Sequence, residues 1–247
     1  MTSWPRPPAS TPRPSPSCRP SSDRPHSKEL TRMTSIGILG TGRVGSGLAR
    51  ALATAGHQIT LGHRQPPEET PADETGAVPA IRHTDQRTTA ATTDIVINAT
   101  PGDTALERLS ALHTELSGKI LIDVSNATRH TPDGLPSDLC YPGSSLAERL
   151  QRALPETRVV KALNTMLFPV MTAPAELSTP PTAYLSGDDA EAKAVTAGLL
   201  ADLGWKPEWI EDLGDITTAR ATEALVLLVP HVLRRHGFRP FAVSLAR

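Results

Sequence analysis

From Ser35 onward, short apolar runs alternate with segments whose apolar residues recur every three or four positions. Ile36-Gly37-Ile38-Leu39 reads as a buried strand. Val44, Leu48, Leu52 and Ala55 then share one helical face, and Gly56 stops that helix. A second strand is expected over 58–61, a polar, proline-rich loop over 65–80, and a short strand over 80–82. Asp94-Ile95-Val96-Ile97-Asn98-Ala99 is the next strand. Thr104 and Glu107 have the spacing of a capping box ahead of Leu106, Leu109 and Leu112. Strands follow at 119–123 and 158–163, separated by a second capping box at Ser145 and Glu148. After a proline-rich stretch at 169–181 come a strand at 183–186 and a helix opened by Asp188 and closed by Gly204. A strand at 205–210 and a final helix over 216–235 complete the pattern.

Strands alternating with helices of this length predict an α/β fold of Rossmann type. The sheet should be doubly wound and mainly parallel, with a small C-terminal strand–helix extension. Three parts are expected. Residues 1–32 form a disordered Pro/Ser/Arg-rich segment, 33–165 a nucleotide-binding domain, and 166–247 an extension completing the substrate cleft. Eight prolines among the first 25 residues leave little apolar surface there to bury. Deleting that segment should leave nucleotide binding intact.

Composition narrows the function by exclusion. With 25 Lys+Arg against 26 Asp+Glu, the chain has no charge excess that would recommend nucleic acid or an acidic membrane as partner. No apolar run reaches the roughly 20 residues that span a bilayer. The most apolar stretch, 224–233, contains Pro230 and His231. Two cysteines, Cys18 and Cys140, make no disulfide framework, which fits a cytoplasmic protein with reduced thiols. No metal spacing and no nucleophile elbow are evident, so neither catalytic nor metal-ligating residues are assigned. Arg220 and Glu223, three apart on a helix, read as a surface ion pair.

The chemistry concentrates in Gly40-Thr41-Gly42-Arg43-Val44-Gly45. A G-x-G-x-x-G turn between an apolar strand and an amphipathic helix is a dinucleotide-binding arrangement. The first glycine permits the turn, the second lets backbone approach a pyrophosphate, and the third lets helix and strand pack closely. The choice of dinucleotide falls to Gly62-His63-Arg64 at the end of the second strand. A carboxylate usual for NAD is missing there. Arg64 can take a 2′-phosphate bidentately and His63 can donate to it, which favours NADP. Glu68 and Glu69, close behind, keep NAD open. Three further strand ends face the same edge. Thr100 and Pro101, Asn126, and Ala162 are expected to line the cofactor, and Asn164 and Thr165 the substrate pocket. Ordinary turn chemistry is the competing account of Asn126 and Thr165.

Taken together, several segments resemble the NADP-binding reductases that include the NADPH-dependent oxidoreductase of coenzyme F420, a deazaflavin. They are Ile36-Gly37-Ile38-Leu39-Gly40-Thr41-Gly42, Gly62-His63-Arg64, Val159-Val160-Lys161-Ala162-Leu163-Asn164-Thr165, Ser186-Gly187-Asp188-Asp189 with Ala192-Lys193, and Ala219-Arg220 with Glu223-Ala224-Leu225. The resemblance implies NADP on the glycine turn and direct hydride passage to a stacked second ring, with coenzyme F420 as candidate co-substrate. Such chemistry needs position and a dry pocket rather than a protein acid or base. The chain departs from the family pattern at His63, at Ala127 where a proline is common, and in the tail after Arg220.

An NADP-dependent oxidoreductase acting on a small-molecule redox partner is therefore expected, without nucleic acid or membrane. A catalytically silent NADP-binding module or redox sensor is the alternative. A hydroxyacid- or imine-type dehydrogenase is a third, disfavoured because little chain follows Thr165 for a helical dimer domain. The apolar final helix suits either a homodimer contact or closure of the protein's own sheet.

Overall fold

The computed structural model describes residues 34–65 and 81–246. The expectations for residues 1–32, for 66–80 and for Glu68 and Glu69 lie outside the described residues.

In chain order the elements are β1 (Ser35–Leu39), α1 (Arg43–Thr54), β2 (Gln58–His63), β3 (Arg82–Asp85), α2 (Gln86–Thr92), β4 (Ile95–Asn98), α3 (Gly102–Ser110), α4 (His113–Leu116) and β5 (Ile120–Asp123). Then come β6 (Thr128–His130), β7 (Pro136–Leu139), α5 (Leu146–Ala153), β8 (Arg158–Lys161), α6 (Phe168–Thr172), β9 (Ala183–Leu185), α7 (Ala190–Asp202), β10 (Ile210–Asp212), α8 (Ala219–Ala224) and α9 (Val229–His236). Six strands form one sheet in the order β3-β2-β1-β4-β5-β8. Every neighbouring pair is parallel. The order reverses beside β1, and ligands of such sheets bind in the crevice at that reversal.

Period-2 alternation assigns the two faces of the sheet. Ile36 and Ile38 of β1 pack with Leu48 and Leu52 of α1 and with Leu199 and Leu200 of α7. Leu39 faces the other way, into a cluster with Leu109 of α3 and Leu146 and Leu150 of α5. Both faces are covered, so the strands read as continuous apolar runs. β9 and β10 form a parallel pair of their own. Ser186, just past β9, exchanges two backbone hydrogen bonds with Lys161 at 2.8 and 3.2 Å, which joins the extension to the end of β8.

Several local expectations are corrected. Helix α3 begins at Gly102 after Pro101, so Thr104 lies inside its first turn and its hydroxyl contacts Pro101 O and Arg108 Nε instead of capping. Asp189, not Asp188, caps α7. Asp188 instead accepts from the Ile216 N–H at 2.9 Å. The strand expected at 205–210 is a 3-10 turn over Pro207–Trp209, and β10 starts only at Ile210, because Pro207 has no N–H for a ladder. β3 lies slightly later than expected, and the β6–β7 hairpin and α6 lie where no strand or helix was predicted. The final helix is a helical run over Ile216–His236, in pieces of alternating α and 3-10 type. At 21 residues and mean hydropathy 1.3, that run is long and apolar enough to cross a membrane by length and composition, which revises the expectation that no segment is.

Candidate functional site

The glycine turn leaves β1 at the carboxyl edge of the sheet. Gly40 has φ +114°, and a Cβ there would lie 2.4 Å from Ala99 O at the end of β4. A Cβ on Gly45 would lie 1.9 Å from Gly40 O. Those two positions are closed by backbone. Gly42 is different: a Cβ there would meet nothing within 4 Å, so its bareness opens space rather than filling it. It sits at the N-cap of α1 with no side-chain cap, and the first turn of that helix holds no acidic residue. The first-turn N–H groups and the positive end of the helix dipole are thus left for an anion. Thr41 and Arg43 are exposed and Val44 half-buried. The Arg43 guanidinium lies 5.1 Å above the Phe168 ring of α6.

At the end of β2, Arg64 is exposed and His63 half-buried. His63 Nε2 and His83 Nδ1 of β3 share a hydrogen bond at 2.8 Å. Burial lowers both imidazole pKa values below the ordinary histidine range, and for His83 the neighbouring His63 adds to the effect. Sequence reasoning named His63 but missed His83, which only the β2–β3 pairing brings alongside.

The other strand ends converge as expected, but their side chains divide between lining and scaffolding. Thr100 is buried and spends its hydroxyl and its N–H on Asn98 Oδ1, at 2.7 and 3.1 Å. Pro101 is exposed at the start of α3. Ala162, expected to line the cofactor, is fully buried in the core. After it the backbone turns sharply at Leu163, whose φ of 58° is the one left-handed value at a non-glycine residue among the described residues. Asn126, Asn164 and Thr165 then line a cavity of about 260 Å³. Its other walls are Thr128, His130, Pro136, Met166, Leu167, Leu225, Val226, Val229, Phe241 and Val243. His130 is the one ionisable side chain among them. The tail covers this cavity. Leu167 N–H donates to Phe241 O, and Val243 N–H to Thr165 O, both at 3.0 Å.

Beneath the strand ends lies a charge network that the sequence did not disclose. Lys161 is 1% exposed, with Nζ 2.8 Å from Asp123 Oδ2 and 2.9 Å from Glu223 Oε1, and it also donates to Ser125 O. Burial alone would lower the Lys161 pKa, but the Asp123 and Glu223 carboxylates outweigh it and hold the ammonium above its ordinary value. Asp123 Oδ1 accepts from Asn98 and Ser125, and Glu223 from the Leu146 and Ala147 N–H groups that open α5. Arg220 pairs with Glu148. The expected Arg220–Glu223 surface pair is therefore replaced by two tertiary pairs, because α8 packs against the start of α5, which buries Glu223 while Arg220 stays exposed and reaches Glu148 from the surface. In sequence the only signal was a lysine inside an otherwise apolar strand.

A six-stranded parallel sheet with an open glycine cradle at its reversal point defines a dinucleotide-binding fold of Rossmann type. Residues 35–127 match the family model described as NADP oxidoreductase, coenzyme F420-dependent. A solved structure from Arthrobacter sp. FB24, provisionally named an F420-dependent NADP reductase, is 37% identical. It superposes with a TM-score of 0.78 over 87% of this chain and 100% of that one. A hypothetical protein from Sinorhizobium meliloti is 27% identical, with a TM-score of 0.62 over 76% of this chain and 89% of that one. Metalloreductase STEAP3 of Rattus norvegicus is 28% identical over 193 residues, which are 78% of this chain and 36% of that protein. The chain thus spans about a third of the length of the curated relatives it matches. The protein belongs to the coenzyme F420-dependent NADP oxidoreductase family.

Proposed function

We propose that the protein passes hydride directly between NADP(H) on the glycine turn and a redox ring, of the deazaflavin type found in coenzyme F420, in the cavity beyond β8. The observation that carries this reading is the open space above Gly42 at an uncapped, acid-free helix start. The residues present fit the cofactor. Gly40, Thr41, Gly42, Arg43, Val44 and Gly45 form the pyrophosphate cradle. Arg64, with His63 beside it, takes the 2′-phosphate. Thr100, Pro101, Asn126 and Ala162 shape the nicotinamide end, and Asn164 and Thr165 belong to the acceptor pocket. When bound, NADPH supplies the hydride. The chain binds, orients and keeps water out, and the mostly apolar cavity walls suit that task.

NADPH and NADH titrations followed by an acceptor screen test the reading. NADPH should bind more tightly than NADH, and Arg64→Ala should weaken NADPH about tenfold or more while leaving NADH unchanged. With deazaflavins, flavins and quinones offered in turn, NADPH absorbance should fall with a ring acceptor. Tight NADPH binding without turnover would make the protein an NADP-binding module or sensor instead.

A further inference from the structure

Two residues that line the cavity beyond β8 each carry a buried side-chain oxygen without a hydrogen-bond partner. Asn126 donates its amide N–H to Asn164 O at 2.8 Å, and a carbonyl can only accept, so that amide's orientation is fixed. Its Oδ1 therefore faces Asn164 and accepts from Asn164 Nδ2 at 3.0 Å. This fixes the second amide too, since flipping Asn164 would set oxygen against oxygen. What is left over is Asn164 Oδ1, which is buried and has no hydrogen-bond partner. Thr165 Oγ1, on the next residue, is in the same condition. The two residues are 5% and 6% exposed, both line the 260 Å³ cavity, and both follow the left-handed turn at Leu163.

A buried acceptor without a partner costs stability, and so does a left-handed leucine. Two orphaned polar atoms and a strained turn within three consecutive residues mark a place built for something else to complete. The missing piece must bring a hydrogen-bond donor. It must otherwise be uncharged and flat enough to lie against Leu225 and Phe241, because the cavity offers no lysine, arginine or carboxylate to neutralise a charge.

We propose that Asn164 Oδ1 selects the class of acceptor ring, taking rings with an imide N–H, as flavins and deazaflavins have, and disfavouring quinones, which lack one. The methyl and hydroxyl faces of Thr165 border the same edge of the ring. This deepens the proposed function and rests on the cavity being the acceptor site. The discrimination comes from the protein side: a ring without the N–H leaves the buried oxygen unpaired, which costs more than a merely missing attraction.

Binding, rather than turnover, provides the test. Protein saturated with NADP+ is titrated with riboflavin, with riboflavin methylated at the imide nitrogen, and with menadione, following quenching of ring fluorescence or the heat released. Riboflavin should bind about tenfold or more tightly than its methylated form and menadione. In Asn164→Leu that gap should close. Equal binding of riboflavin and its methylated form to the unsubstituted protein would overturn the proposal. So would a gap that persists in Asn164→Leu, or failure of all three rings to bind. The ligand pair on the unsubstituted protein decides the matter even if the variant does not fold. Rings that bind with the expected gap but never oxidise NADPH would sink the reductase reading alone. Turnover with no preference for the N–H would sink this one alone.

Discussion

The two halves of the site are built on different principles. The glycine half is made of backbone: Gly40 and Gly45 are pressed against main-chain oxygens, and Gly42 is bare over open space. The half we assign to the acceptor is made of side chains delivered from far apart in the chain. Lys161 meets Asp123 across 38 residues, Glu223 reaches Ala147 across 76, and Asn126 meets Asn164 across 38. A backbone cradle fits a part of a ligand that never varies, such as a pyrophosphate. A side-chain pocket can be retuned one residue at a time.

The contrast predicts where each half breaks. The largest effect is expected from Lys161→Met, which leaves Asp123 and Glu223 buried and uncompensated. It should cost about 3–5 kcal/mol in denaturant melts, and adding Glu223→Gln should recover part of the loss. The sign is clear at neutral pH. The folded-state pKa of Lys161 is raised, so its contribution is complete below the unfolded value and is lost only as pH climbs through the folded one. If the loss proves no larger than for an ordinary cavity-neutral change, the acceptor half is not held by charge.

The next effect separates two glycines. Gly45→Ala drives a Cβ into Gly40 O and should cost about 1–3 kcal/mol in thermal melts, with NADPH binding lost. Gly42→Ala should leave the melt unchanged and weaken NADPH about tenfold, because its methyl would occupy space meant for the pyrophosphate. Equal melting losses for both would erase the distinction between a packing glycine and a ligand glycine.

The smallest effect concerns pH. Burial pushes the His63 and His83 imidazoles below the ordinary histidine range, which favours their neutral forms in the ligand-free protein. A 2′-phosphate beside them favours the protonated form. NADPH should therefore bind with proton uptake, a few-fold more tightly at pH 6 than at pH 8, while NADH shows no such slope. Calorimetry in two buffers of different ionisation heat measures the uptake directly. A His83→Gln variant that retains the full uptake would remove His83 from the account.

The same contrast explains what the sequence made legible. The turn and its flanking strand and helix are read from twelve or so consecutive residues, since local backbone geometry dictates glycine there. The mainly parallel, doubly wound character of the sheet follows almost as directly from the alternation of apolar runs and helices. Asn126, Asn164 and Thr165 could be placed at strand ends, but not the orphaned oxygen, which depends on how two amides meet. His83 was missed because the strand expected over 80–82 stopped one residue short of it, and only the register with β2 sets it beside His63. Glu223 was misassigned because its helical neighbour Arg220 offered the shorter explanation. Thr104 misled because the capping spacing was present while Pro101 had already begun the helix.

The tail that roofs the cavity has a consequence for how such a protein diversifies. Phe241 and Val243 are held over Leu167 and Thr165 by main-chain bonds, which do not depend on which side chains the strap carries. A handful of residues near the end of the chain can therefore be rewritten without disturbing a fold whose core lies elsewhere. Change there alters the shape of the chamber and leaves the glycine turn alone. If the chamber holds the acceptor as we propose, one cofactor is paired with new redox partners by editing a strap rather than an enzyme.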